Sequence, residues 1–230
     1  MLSASVFERF TADGYVVTPA VFSAPEILAI KEECDRLRAH NRSWALLGAA
    51  RDSSKLLAFT KHDVFRRICA MTIGSDVDLF FDSILHKPAR GGKELRWHQD
   101  AAYGATDPAY VACWVPLSAG SAASGGLWVA PGSHRSGPIE HIRCTATTQE
   151  YAGLVSKTIP PVSCPLDLSP GQVAVVHSEL LHRSGPNATD TVRLAFQCGF
   201  VTASTRFLDD GLSEDHKLPI FRSPPRRGEV

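Results

Sequence analysis

The sequence predicts a mainly β fold with flanking helices, either a β-sandwich or a jelly roll. Two observations carry this expectation. Helical periodicity is confined to the first part of the 230-residue chain. From residue 76 the apolar segments become short, β-branched or aromatic, and bounded by Gly, Pro or Ser. Many short strands after a helical start fit helices packed beside sheets.

Residues 1–12 read as a short helix and 14–17 as a strand. Ser23-Ala24-Pro25-Glu26 is a capping box, in which the serine hydroxyl accepts from the N3 amide and the glutamate reaches back. Ile27, Ile30, Cys34 and Leu37 follow at helical spacing and predict a helix over 24–39. Another helix is expected over about 61–72. Strands are expected at 77–81, 110–115, 126–129, 172–176 and 192–196. The ending SPPRRGEV has no apolar period and reads as a loose end. The chain therefore reads as a single domain over 1–230: a helical flank with an early strand (1–75), a β core (76–205) and a C-terminal tail (206–230).

Lys plus Arg and Asp plus Glu number 24 each, so the formal net charge is zero. A nucleic-acid protein would carry a basic excess or stripe, and none is present. No apolar run reaches membrane-spanning length. The start, MLSASVFERF, lacks the basic and apolar regions of a secretory signal. Six scattered cysteines without a C-x-x-C pair then read as reduced thiols of a cytoplasmic protein. The expected partner is a small molecule, not nucleic acid or membrane.

The chemistry concentrates in two stretches. In RWHQDAAY (96–103), His98 and Asp100 stand two apart and would share one face of a strand. In GQVAVVHSELLHRSGPNATDTVR (171–193), His182 offers a third donor. Two histidines and one carboxylate with open positions make the facial triad of non-haem Fe(II) oxygenases. His177 competes for the third place, but it has the opposite strand parity to His182. Arg193 follows His182 by 11 residues, across a Ser-Gly-Pro-Asn turn. A hairpin there would bring its guanidinium near the metal but not onto it. It could then pair with the far carboxylate of a dicarboxylic 2-oxo acid chelated through its other end. Ser184 could add a hydroxyl bond to the same carboxylate. His134 reads as a turn residue near the site mouth, and Trp97 and Tyr103 as packing around the H-x-D stretch.

Three ordered stretches, KPARGGKELRWHQDAAY, CWVPLSAGSAASGGLWVAPGSH and SPGQVAVVHSELLHRSGPNATDTVRLAF, resemble the phytanoyl-CoA dioxygenase family of Fe(II)- and 2-oxoglutarate-dependent oxygenases. The resemblance runs from the N-terminal helices to about residue 205. It implies a double-stranded β-helix, a cupin-like jelly roll, with the N-terminal helices outside. It implies His98, Asp100 and His182 as iron ligands, and Arg193 and Ser184 as partners of the distal 2-oxoglutarate carboxylate. Gln99 and Trp114 match positions that help hold this cosubstrate in relatives. The implied reaction uses O2 and releases succinate and CO2 while oxidising an unactivated C–H bond. Because Asp100 is retained, hydroxylation, desaturation or cyclisation is favoured over halogenation. The family usually has Asn-Gly where this chain has Gly125-Gly126.

Other readings use the same residues. A Zn(II) hydrolase could employ the His2Asp set, but it has no need of Arg193 and Ser184. A non-catalytic jelly-roll module would be expected to lose a triad residue. An acyl-CoA hydroxylase of the same family would want a basic groove, and the cations here are dispersed, which favours a small specialised metabolite. Residues 40–60 and the segment after 203 are candidate lids over the pocket.

Overall fold

The computed structural model describes residues 4–148, 150–208 and 211–223. The chain begins with helix α1 (Ala4–Asp13) and strand β1 (Tyr15–Val17), then α2 (Ala24–Arg38) and β2 (Ala45–Leu47). Three short helices follow: α3 (Ala49–Asp52), α4 (Ser54–Thr60) and α5 (Asp63–Thr72). The β region comprises β3 (Val77–Lys87), β4 (Leu95–His98), β5 (Thr106–Asp107), β6 (Val111–Pro116), β7 (Leu127–Val129), β8 (His141–Cys144), β9 (Gly153–Ser156) and β10 (Cys164–Pro165). It continues through β11 (Ala174–His177), β12 (His182–Ser184), β13 (Arg193–Thr202), β14 (Arg206–Phe207) and β15 (Leu218–Phe221).

The predicted capping box is present on α2. The Ser23 amide donates to Glu26 Oε2 at 2.7 Å, and Ser23 Oγ caps the Glu26 amide. Ile27, Ile30 and Cys34 are buried along the inner face of this helix, as their spacing predicts.

Two antiparallel sheets form the body of the fold. The major sheet runs β1-β11-β6-β13-β3-β15, with β2 also paired to β3, and the minor sheet runs β10-β7-β12-β4. Period-two alternation gives the major sheet two different faces. Val111, Cys113, Val115, Leu194, Phe196 and Cys198 belong to one core cluster with Ile30, Phe65 and Ile68 of the helices. The alternate residues Trp114 and Ala195 join Leu127 and Val129 of the minor sheet in a second cluster. Helices outside one sheet and a second sheet facing the other side make this the expected jelly-roll arrangement.

Two expectations need correction. The segment 206–230, set apart from the β core as a tail, contributes strands: β15 joins the major sheet beside β3, and β14 pairs with β5. The remaining tail residues, 224–230, lie outside the described residues. Nor do β12 and β13 form a hairpin. They belong to opposite sheets, so the Ser-Gly-Pro-Asn segment carries the chain across the sandwich.

Asn187 pins that crossing. It is 2% exposed, and its side-chain amide donates to the carbonyls of Pro88 (3.0 Å) and Thr191 (2.8 Å). Its oxygen accepts from the Thr189 amide at 3.0 Å. Asn187→Ala strands these buried partners, and we expect a loss of about 2–3 kcal/mol in urea unfolding. A loss below about 0.5 kcal/mol, the range of ordinary surface substitutions, would show that the crossing is held by other contacts.

Candidate metal centre and its cavity

His98 ends β4 and His182 opens the antiparallel β12, directly opposite it in register. Their rings lie 4.2 Å apart, centroid to centroid. Asp100 is not on the strand, contrary to the simple alternation argument. It opens a 3-10 turn over Asp100–Tyr103, and the turn brings the carboxylate back beneath both rings. Its Oδ1 lies 3.6 Å from His98 Nε2 and 3.4 Å from His182 Nε2. One donor atom from each residue lies within 4.8 Å of the others. Donors bound at right angles to one ion would stand about 3 Å apart.

The tautomers follow from the partners of the other ring nitrogens. His98 Nδ1 donates to the Arg96 carbonyl at 2.7 Å, and His182 Nδ1 to the Leu180 carbonyl at 3.0 Å. A carbonyl can only accept, so each Nδ1 carries a proton, which leaves each Nε2 facing Asp100 as the ring atom that would bind a metal. The second carboxylate oxygen accepts from Gln197 Nε2 at 3.1 Å. Burial acts to raise the Asp100 pKa, but the imidazoles of His182 and then His98 outweigh it and hold the carboxyl well below its usual range. Burial, then the neighbouring His182, pushes His98 down; burial acts against His182 too, but the Asp100 charge lifts it above its usual value. The result is one anion flanked by two basic nitrogens, a donor set suited to a divalent first-row metal.

The triad opens into a cavity of about 680 Å³ between the sheets. Phe80, Phe81 and Tyr110 line it in mutual edge-to-face contact, with centroids 5.3 to 5.8 Å apart. Both candidate lid segments contribute to the lining, Trp44 and Arg51 from the first and Leu212 and His216 from the second. Tyr103 also lines the cavity, set edge-on to His98 at 5.8 Å, so it is more than packing.

Arg193 lines the same cavity, four residues before Gln197 on β13. It is 3% exposed, and its guanidinium lies 5.7 Å from the Trp114 ring centroid. Its Nη1 reaches the Leu85 carbonyl only at 3.4 Å, and its Nε has no partner. No carboxylate pairs with it among the described residues. Burial pushes the guanidinium down to about 10. Directly opposite in register stands Lys87 of β3, also buried, whose ammonium is pushed down to about 6 by burial and then by Arg193.

Ser184 lines the cavity on the same side of β12 as His182. Gln99 does not line it. Its side chain donates to the carbonyls of Gly137 (2.9 Å) and Glu179 (2.6 Å) and accepts from the Ile139 amide (2.8 Å). With its amide satisfied there, Gln99 braces the loop behind the triad and has no side-chain group left for a cosubstrate. His177 points elsewhere and packs on His134 (5.0 Å) and Phe10 (6.1 Å); the reason is not strand parity, because it ends β11 of the major sheet while His182 opens β12 of the minor one. His134 sits in a turn but bonds the Thr11 carbonyl of α1, away from the cavity mouth. Gly125 has φ +76°, the left-handed region that Gly and Asn favour, so a glycine suits the place where relatives carry asparagine.

Sequence reasoning missed Gln197 and Lys87. Gln197 shares strand parity with Arg193, but the strand expected at 192–196 stopped one residue short of it. Lys87 had no local signal, because its partners lie about a hundred residues away.

The phytanoyl-CoA dioxygenase (PhyH) family pattern matches residues 10–195. An ectoine dioxygenase from Stutzerimonas stutzeri (strain A1501) is 28% identical over 172 residues, covering 65% of this chain and 55% of that protein. The chain spans between 34% and 55% of the length of the curated relatives it matches. Among solved structures, the non-heme monooxygenase ThoJ aligns with TM-score 0.80 and 25% identity, over 95% of this chain and 84% of that one. The epimerase SnoN, solved with Fe3+, alpha ketoglutarate and nogalamycin RO, aligns with TM-score 0.78 and 21% identity, over 90% and 86%. No helix among the described residues is long and apolar enough to cross a membrane. With the family pattern spanning most of its length and the same jelly roll in its structural neighbours, the chain belongs to the phytanoyl-CoA dioxygenase family.

Proposed function

We propose that residues 1–230 act as one Fe(II)- and 2-oxoglutarate-dependent dioxygenase domain in the cytoplasm. Its reaction is oxidation, foremost hydroxylation, of an unactivated C–H bond in a small organic substrate, a specialised metabolite, with release of succinate and CO2. The observation that carries this reading is the buried Arg193, without a carboxylate partner, in the same cavity as the His98–Asp100–His182 cluster. A Zn(II) hydrolase would use the three donors, but it gives no reason to bury an unpaired guanidinium beside them.

The residues present fit both groups. Iron with 2-oxoglutarate and O2 would supply the C–H oxidation; the chain supplies ligands, orientation and dryness. His98 and His182 offer Nε2 with their tautomers fixed from behind, and Asp100 offers Oδ1 while Gln197 holds Oδ2. Four residues of strand separate Gln197 from Arg193, about 13 Å. Both side chains stand on the cavity face of the strand, so a five-carbon diacid held beside Asp100 would extend along that face toward the guanidinium. Arg193 would take its far carboxylate, with Trp114 beneath the guanidinium and Ser184 adding a hydroxyl. The aromatic wall of Phe80, Phe81 and Tyr110 suits a largely apolar substrate and excludes water from the metal. An acyl-CoA would want several cations at the mouth, where Arg51 stands with Asp215 in the lining.

His98→Ala and His182→Ala should each lose stoichiometric Fe(II) binding with the fold retained, while His177→Ala should keep it. Anaerobic Fe(II) titration measures this, and metal loss in His177→Ala with retention in His182→Ala would reassign the third ligand. Arg193→Ala should leave Fe(II) binding intact but weaken 2-oxoglutarate by about 2–5 kcal/mol, the penalty for leaving one charge of a desolvated pair uncompensated. That is roughly 30-fold or more. Arg193→Lys should recover part of the loss, since it keeps the charge without the two-pronged geometry. Ser184→Ala should lose on the order of 1 kcal/mol. Following the metal-to-ligand absorbance on 2-oxoglutarate addition gives all three affinities, and wild-type affinity in Arg193→Ala contradicts the assignment.

A further inference from the structure

Lys87 is the most deeply buried basic side chain among the described residues, at 1% exposure, and its contacts are specific. Its Nζ donates to the Ser184 carbonyl (3.0 Å), to Ser184 Oγ (2.8 Å) and to the Gly185 carbonyl. A carboxylate entering beside Arg193 favours the ammonium over the neutral amine that burial and Arg193 promote; in that form Lys87 has three N–H donors and no lone pair, and these three acceptors use all of it. Two of the three are carbonyls, which can only accept. The third is a hydroxyl, which could either accept from the lysine or donate elsewhere.

That choice has a consequence for the cavity. Lys87 itself does not line it, but Ser184 does. A serine hydroxyl has one proton and two lone pairs. With one lone pair taken by the ammonium, its proton points away from Lys87. Resting on the reading of Arg193 as the anchor of 2-oxoglutarate, we propose that Lys87 is a positioning residue for that cosubstrate. Its ammonium fixes the Ser184 hydroxyl as an acceptor on one side, and so as a proton donor to the far carboxylate on the other.

The surroundings agree with this role. Lys87 and Arg193 are register partners across β3 and β13, two buried basic side chains side by side. Glu94, the acidic group whose charge bears on Lys87, is already bonded to Arg183 at 2.9 Å. Arg193 keeps its charge, while burial and Arg193 hold Lys87 down to about 6, so the guanidinium leaves a positive field at one end of the cavity. A dicarboxylate neutralises that field, and a monocarboxylate bound through its oxo-acid end does not reach it. Gly125 packs against the assembly: a Cβ there would lie 2.8 Å from Lys87 Cδ and 2.7 Å from the Gly185 carbonyl oxygen. With its donors spent on Ser184 and Gly185, the ammonium has none left for the carboxylate itself.

The test uses Fe(II)-loaded protein under anaerobic conditions, with two probes: 2-oxoglutarate, and 2-oxovalerate, which has the same chain length without the far carboxylate. Lys87→Met keeps the length and apolar stem but removes all three donors. It should bind 2-oxoglutarate about tenfold or more weakly and 2-oxovalerate almost as the wild type does. Ser184→Ala alone should weaken 2-oxoglutarate about fivefold, the equivalent of one hydroxyl bond. In the Lys87→Met background the same change should add less than about twofold, because the hydroxyl has lost its orientation. If the methionine variant does not fold, Lys87→Gln, which keeps a polar end but carries no charge and only two donors, should produce the same selective loss. Equal weakening of both oxo acids would mean that Lys87 only packs, and fully independent effects of the two substitutions would mean that it does not act through Ser184. Either result overturns the proposal, as does wild-type 2-oxoglutarate affinity in Lys87→Met when Arg193→Ala has lost it. If Arg193→Ala also binds 2-oxoglutarate like the wild type, the cosubstrate reading itself fails, and the Lys87 role fails with it.

Discussion

An unpaired guanidinium inside the sandwich is the constraint around which this protein is organised. Leaving a buried charge without a partner costs several kcal/mol, and folded proteins normally pair it. Here Arg193 has a π face beneath it, one long contact to a carbonyl, and no acid among the described residues. The chain tolerates this because the strand carrying it, β13, lies in the interior of the major sheet, bonded to β6 on one side and β3 on the other. The apolar face of that strand is locked into the helical layer through Leu194, Phe196, Cys198 and Phe200. Hydrophobic burial on one face thus offsets an electrostatic penalty on the other.

The metal centre depends on the same two-sheet geometry from the opposite wall. His98 and His182 are cross-strand partners in the minor sheet, so their spacing is set by backbone hydrogen bonds and not by side-chain packing. Each ring is oriented by a carbonyl two residues earlier in its own chain, Arg96 for His98 and Leu180 for His182. Asp100 is tied to the other wall through Gln197. The carboxylate is therefore the one triad member that reports the distance between the two sheets. A change in how the sandwich packs would reach the metal through Gln197 first.

Much of this was legible in the sequence because the signals were local. The Ser23–Glu26 box and the Ile27, Ile30, Cys34 period locate α2 without tertiary information. The H-x-D stretch and the second histidine before Ser-Gly-Pro-Asn identify the triad, although for Asp100 the reason differs from the one first given: a 3-10 turn, not strand alternation, brings it in. His177 is set aside for a different reason from parity: it ends β11 of the major sheet, where it packs on His134 and Phe10, while His182 lies in the minor sheet. What the sequence could not supply was register. The pairing of Lys87 with Arg193, the reach of Gln197 to Asp100, and the addition of the four-residue β15 to the edge of β3 all depend on which strands lie side by side. Short elements such as β2, α3 and α4 give too few residues for a period to show. Gln99 came from the resemblance, as a position that holds the cosubstrate in relatives, whereas here its side chain turns toward Gly137 and Glu179.

The account stands or falls on what occupies the space between His182 and Arg193. A crystal structure of the protein with Fe(II), or a redox-inert substitute, and 2-oxoglutarate under anaerobic conditions examines that space directly. The account predicts a metal held by His98, Asp100 and His182, with the oxo-acid end of the cosubstrate chelating it. The far carboxylate should lie within hydrogen-bond distance of the Arg193 guanidinium and the Ser184 hydroxyl. A cosubstrate whose far carboxylate points away from Arg193, or a metal bound without any of the three donors, would contradict it.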